Sequence, residues 1–298
     1  MKTTINKIFI KDLSMPIAVY LDPYFDYLLN LIDPYYNSIS KYELLKKEVE
    51  LNGLKEFEEN NRKTMFKLLD KMKEHKGYET FNNLDYKTFQ SETKIQKREL
   101  YHPNNVGKSF FSIDLVQANF QCLLSVVPEI FDGFDNYDDF VTANGFNDYM
   151  KISKQIRQVI FGNLNPKKQQ SVQKSMMNLI ADKLFKNGVD LNSIHSLSSD
   201  EIVFECNDFE KDKIQSILSE LDFNLRIEKF TLERPFKQAM YVKKLDNSDV
   251  IFKMVSTSMM AEFIKRFEGR ELEDMDFYFF DENKRLAKYI KPYIEDKI

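Results

Sequence analysis

The chain has 298 residues, 43% of them hydrophobic and 14% aromatic, with 43 basic against 47 acidic side chains and a formal net charge of −4. This is ample apolar material for a real core and enough length for one large domain or two small ones. The acidic balance excludes a general polycation, so any contact with nucleic acid has to come from a local basic surface.

At the N-terminus, MKTTINKIFIKDLSM carries charges where a signal peptide would be apolar, and no run approaches the ~20 apolar residues of a membrane span. The expectation is an intracellular protein with no membrane partner. From Asp22 to Lys76 apolar residues recur three and four apart in YFDYLLNLI, YELLKKEVEL and FKLLDKMKEH, which predicts helices punctuated at Gly53 and Gly77. YETFNNLDYKTFQSETKIQKREL has no clean period, and HPNNVGK reads as a loop, so a boundary is placed near Gly107. Beyond it SFFSIDLV is a strand that stops being apolar at Asp114, followed by a helix-like NFQCLLSVV. Helical segments are expected over 136–148 and 151–161; NLNP interrupts them, and KKQQSVQKSMMNLIADKLFKNG resumes as a helix ending at Gly188. SIHSL and EIVFEC are two short strands joined through Ser198-Ser199-Asp200. An amphipathic helix in DFEKDKIQSILSEL, the strands FNLRIEKFTLE, QAMYVKKL and DVIFKMV, and helices around MMAEFIKRFEG and ENKRLAKYIKPYI complete the pattern. Cys122 and Cys206 stand far apart with no CxxC partner, and both read as core residues.

The order of these elements predicts an α+β fold, an antiparallel sheet with flanking helices. It divides into a helical region over 1–106, a sheet domain over 107–255 with an insertion at about 136–189, and a C-terminal helical segment over 256–298.

Three acids stand out: Asp114 at a strand end, and Asp200 with Glu201 at a hairpin tip. An uncompensated carboxylate beside a core is costly, so each must be solvated, capped or neutralised by a cation. If the strands are neighbours, the carboxylates converge at one edge and have the chemistry to hold two divalent ions ~3.5–4 Å apart, the arrangement of phosphoryl transfer. Mg²⁺ suits such oxygen donors, with Mn²⁺ as a substitute. Taken singly, each acid is more often a turn or cap residue.

Between them, KISKQIRQVIFGNLNPKKQQSVQKS carries Lys151, Lys154, Arg157, Lys167, Lys168 and Lys174 without one Asp or Glu. Arg157 and Phe161, four apart, share a helical face. A cation and a ring there would hold a triphosphate and pack on a base; the alternative is a solvated basic helix whose Phe161 points into the core. DGFDNYDD does not follow the EF-hand ladder and reads as an acidic helix start. His75, His102 and His195 are scattered, and no P-loop, GxGxxG or GxSxG is present.

Three stretches carry a resemblance. SSDEIVFE resembles motif C of the family A DNA polymerases, the bacterial DNA polymerase I type, which typically reads VHDE before an apolar strand. RQVIFGNLNP resembles their motif B, with Arg157 where a Lys stands four residues before a Phe-Gly pair, here Phe161-Gly162. DLVQANF resembles motif A, DxSQIE, at Asp114 and Gln117, and the order A, B, C is that of the family. The likeness covers about Phe110 to Cys206 and is to a small polymerase-like protein of viral or phage type. Ser199 replaces the family's His, Asn165-Pro166 stands where Tyr-Gly is usual, and the short gap from B to C leaves room only for reduced fingers.

The resemblance implies a palm-like sheet with thumb-like helical walls from the chain ends. It implies Asp114 and Asp200 as ligands of two Mg²⁺ ions, with Glu201 as an assisting carboxylate. Arg157, Lys154, Phe161, Gln117 and Asn119 would contact the incoming nucleotide, with Asn119 in place of the family's steric-gate Glu. Lys167, Lys168 and Lys174 would follow nucleic-acid phosphates, predicting salt-sensitive binding. The implied partners are a primer and template, nucleoside triphosphates and an accessory protein supplying missing fingers. The implied activity is nucleotidyl transfer; untemplated tailing, RNA synthesis and an inactive nucleic-acid-binding or assembly module are the alternatives.

Overall fold

Strand alternation in SFFSIDL puts Phe111, Ile113 and Leu115 on one side of the backbone and Phe110, Ser112 and Asp114 on the other, and this defines both faces of the sheet. In the computed structural model, which describes residues 1–85, 99–206 and 210–295, this strand is β1 (Ser109–Leu115). β2 (Ile194–Leu197) and β3 (Glu201–Glu205) form the expected hairpin, and β1 lies antiparallel between β3 and β4 (Leu225–Glu233). β5 (Tyr241–Leu245) and β6 (Val250–Lys253) extend the sheet to six strands in the order β2-β3-β1-β4-β5-β6.

Among the described residues, the α-helices that precede the sheet are α1 (Lys2–Leu13), α2 (Tyr24–Tyr36), α3 (Ser38–Asn52), α4 (Leu54–Glu74) and α5 (Lys76–Asn83). Between β1 and β2 lie α6 (Ala118–Val126), α7 (Tyr137–Ala143), α8 (Asp148–Ile152), α9 (Lys154–Gly162) and α10 (Pro166–Lys186). Their segmentation follows from caps. Asn136, Asn147, Ser153 and Asn165 each accept the backbone N–H three residues on, opening α7, α8, α9 and α10 in turn. The stretch 136–148, expected as one helix, therefore divides, and Gly145 with φ of 88° turns the chain between α7 and α8.

α11 (Lys211–Leu218) joins β3 to β4, which makes β1 to β4 with their helices a β-α-β-β-α-β unit in spatial order 2-3-1-4. This is the split βαβ arrangement of ferredoxin-like folds. α12 (Met260–Phe267) follows the sheet, and after it comes a two-stranded ribbon, β7 (Tyr278–Phe280) and β8 (Leu286–Lys288). The ribbon corrects the helix expected over ENKRLAKYIKPYI. Lys284, at φ of 58°, donates its N–H to the Asp281 carbonyl, and the Asp281 carboxylate accepts the Arg285 N–H, so a turn is made where a helix was expected. α1 is a second correction, since its helical character went unread. The unpatterned stretch after Asp85 lies, over 86–98, outside the described residues.

The back of the sheet is apolar. Phe111, Ile113, Leu115, Ile202 and Phe204 pack with Phe120, Leu123, Val172, Met176, Ile180 and Ile214, and with Leu68, Leu69, Met72 and Phe81 from the N-terminal helices. A second core joins Phe9, Phe25, Leu28, Ile32, Tyr42 and Leu45 to Val242 and Phe252 of the outer strands and to Phe263 and Ile264 of α12. The N-terminal helices thus share both cores with later segments. The front is different. Phe110, Val203, Phe230, Leu232 and Tyr241 form a small third core under Leu100, Tyr101 and Val106, and beyond it the face carries Ser112, Asp114, Glu201, Arg226 and Glu228.

Candidate active site

Direct cross-strand partners share a face, and Asp114 stands opposite both Glu201 on β3 and Arg226 on β4. Ser112, two residues before Asp114, is opposite Glu228. Asp200 lies in the β2–β3 turn, and its carbonyl accepts the Leu115 N–H at 2.9 Å, which clamps that turn beside Asp114. The backbone thus brings Asp114, Asp200 and Glu201 to one end of the sheet.

Each has its own compensation. Ser198 Oγ accepts the backbone N–H groups of Asp200 and Glu201 at 3.3 and 2.9 Å and donates to Asp200 Oδ1 at 2.8 Å, so Asp200 is capped by its own turn. Glu201 Oε1 accepts from Ser112 Oγ at 2.6 Å and from Lys243 Nζ at 2.9 Å. Burial works to raise the Glu201 pKa, but Lys243, Ser112 and the charge of Lys253 outweigh it and hold it below the usual range. Asp114 Oδ2 accepts from Arg226 at 2.8 Å. Here burial dominates, and with the nearby charges of Asp200, Glu201 and Glu228 it pushes Asp114 up to about 6, against the opposing pull of Arg226. The guanidinium loses because its side chain is 58% exposed and its charge is screened by water.

Among the described residues no group of three or more His, Cys, Asp or Glu side chains stands in metal-cage geometry, Asp114 being turned to Arg226 and Glu201 to Lys243. The donors themselves are hard carboxylate oxygens, the chemistry that Mg²⁺ and Mn²⁺ accept.

The expected nucleotide contacts are distributed differently. Gln117 adopts a left-handed conformation, φ 53°, and its carbonyl starts α6. Asn119 Oδ1 accepts from Gln173 Nε2 at 2.6 Å and ties α6 to α10. Lys154, Lys167 and Lys174 are exposed, whereas α9 packs chiefly on α1 and α4 and Arg157 lies over the ring of Tyr137 at 5.8 Å. Two expectations are corrected. Phe161 is 1% exposed within the core, with Ile156 and Ile160 on the inward side of α9, so its ring has no face to offer a base. Lys168 is 3% exposed and donates to the carbonyls of Asn82 and Leu84, at the end of α5, so it is a structural cation.

The structure adds Ser112, Arg226, Glu228, Lys243 and Lys253 to the residues around these acids. Ser112 had a signal, because the two-residue period places it on the face of Asp114. Lys243 also had one, as a lysine inside the apolar strand YVKKL, but its partner lies on another strand. No protein-family model matches the chain, and no curated protein matches it.

Three outcomes follow from this geometry. Asp114 has a raised folded pKa, so its favourable contribution is complete below the unfolded value of 3.8 and is lost as pH rises through about 6. Asp114→Asn is therefore expected to stabilise the fold at pH 7 by about 1–3 kcal/mol, with the gain vanishing near pH 4, in urea unfolding at several pH values. Lys243→Met leaves the half-buried Glu201 without its cation and should cost about 1–3 kcal/mol, partly restored by adding Glu201→Gln. Lys168→Met should lower stability by about 1–3 kcal/mol, while exposed Lys167→Met stays within about 0.5 kcal/mol in thermal melts.

Proposed function

We propose that this protein is a minimal metal-dependent nucleotidyltransferase that extends a nucleic-acid 3′ end from nucleoside triphosphates. The observation that carries the reading is the placing of Asp114 beside the Asp200–Glu201 turn, on the open face of a split βαβ sheet. The fold alone does not imply it, since such sheets serve many functions. Supporting it is the strained electrostatics of Asp114, whose carboxylate is crowded by Asp200, Glu201 and Glu228, the condition under which an added divalent cation is welcome. A bound Mg²⁺ would supply a lowered pKa for the attacking hydroxyl and charge neutralisation at the transferred phosphoryl group.

The chain's own residues divide the remaining work. Asp114 and Asp200 would hold the metal, while Glu201, fixed by Ser112 and Lys243, positions the β2–β3 turn against β1. Sheet-face recognition of single-stranded RNA through aromatic stacking is disfavoured. Phe110, Phe230 and Tyr241 are covered by the Leu100–Val106 segment and offer no stacking surface.

One observation favours a second reading, a palm-derived binding module without activity: Arg226 and Lys243 already neutralise Asp114 and Glu201. Primer extension separates the two. With Mg²⁺ and each dNTP or NTP, on a primer with and without template, growth that disappears in Asp200→Ala is expected. Tight nucleic-acid binding with no incorporation under any condition would establish the inactive module instead.

A further inference from the structure

The nucleotidyltransferase reading, on which this inference rests, requires a cation that receives phosphates beside Asp114 and Asp200. The motif resemblance nominates α9 for that role. Yet α9 leans on α1 and α4, its Arg157 lies over Tyr137, and Phe161 is buried.

Around the Asp114–Glu201 step the front face of the sheet brings up Arg226, Lys243 and Lys253, each in a different state. Lys243 is committed. It is 3% exposed, donates to Glu201 and sits over the Phe230 ring at 4.6 Å. Arg226 is engaged but exchangeable, bonded to Asp114 at 2.8 Å and paired with Glu228 at 3.5 Å through a side chain that is 58% exposed. Lys253 is different again. The register Tyr241↔Lys253 and Leu232↔Lys243 carries the front-face alternation from β4 through β5 to β6, so Lys253 points to the same side as Asp114 and Glu201. It is half-buried, and its ammonium takes part in no hydrogen bond or ion pair among the described residues.

An ammonium drawn partly out of water without a partner is unfavourable. Burial and the neighbouring charge of Lys243 hold the Lys253 pKa below the ordinary lysine range, and Glu201 and Glu228 only partly offset them. A phosphate would supply the missing anion. A divalent ion on Asp114 would also release Arg226 from that carboxylate, putting a planar five-donor guanidinium on the same side.

We propose that Lys253, joined by Arg226, receives the polyphosphate of the substrate, and that the ligand class of this face is a nucleoside triphosphate. Phosphate binding is thereby assigned to the β4 and β6 side of the sheet and withdrawn from α9.

The test is calorimetric titration of the full chain with dATP and Mg²⁺, and separately with inorganic tripolyphosphate and Mg²⁺, in the absence of primer. Lys253→Gln is expected to weaken both ligands at least tenfold without lowering Tm, and Lys253→Arg to restore most of the binding. Arg157→Ala and Lys154→Ala are expected to bind as the wild type does. Loss of binding in Arg157→Ala with Lys253→Gln unaffected would return the phosphates to α9 and overturn the inference. A fall in Tm for Lys253→Gln, with binding per folded molecule unchanged, would make Lys253 merely structural. Wild-type protein that binds neither ligand defeats this inference and the enzymatic reading together. Triphosphate binding that depends on Lys253, in a protein that extends no primer, leaves the phosphate site standing and removes only the polymerase activity.

Discussion

Two carboxylates face each other across one step of a β-ladder, Asp114 on β1 and Glu201 on β3. Like charges in directly opposed positions weaken a sheet, and these two sit partly out of water, where the repulsion is stronger. The surrounding architecture answers that repulsion from the other side of β1. β4 brings Arg226 opposite Asp114, and β5 reaches Lys243 across Phe230 to Glu201. Sheet order is what makes this possible, because β1 lies between the acidic hairpin and the strands that carry the cations.

The two pairs are unequal, and the difference has a physical origin. Lys243 is enclosed and its partner is also held by Ser112, so that pair behaves as a strut between strands. Arg226 is in water, its attraction is screened, and Asp114 keeps a raised pKa in spite of it. A fold selected only for stability would have no use for such a carboxylate. The face combines one locked pair, one exchangeable pair and, among the described residues, a lysine without an ion-pair partner, and the proposed activity rests on that combination.

Local chemistry and long-range packing divide what was readable. The strand alternation in SFFSIDL and the acidic turn between SIHSL and EIVFE are short-range features, and each element formed where its own residues specify it. The C-terminal ribbon was misread because Leu286, Ala287 and Ile290 happen to sit at helical spacing, while the Asp281 turn and the pairing of β7 with β8 decide the outcome. Phe161 and Lys168 were misassigned for a related reason. A ring or a charge on a helix has two possible directions, and only the packing of α9 and of the α5 end determined which way each one points.

By itself, then, the amino-acid sequence determined the α+β class, the antiparallel hairpin, and the three acids as a group that needed compensation. It did so because periodicity, turn chemistry and the cost of burying charge act within a few residues. Only the tertiary structure decided which cations meet those acids. Arg226, Lys243 and Lys253 come from strands more than twenty residues beyond Glu201, and nothing in their local surroundings distinguishes a lysine that braces a carboxylate from one that faces it unpaired. That distinction depends on strand order and register, which are properties of the assembled sheet.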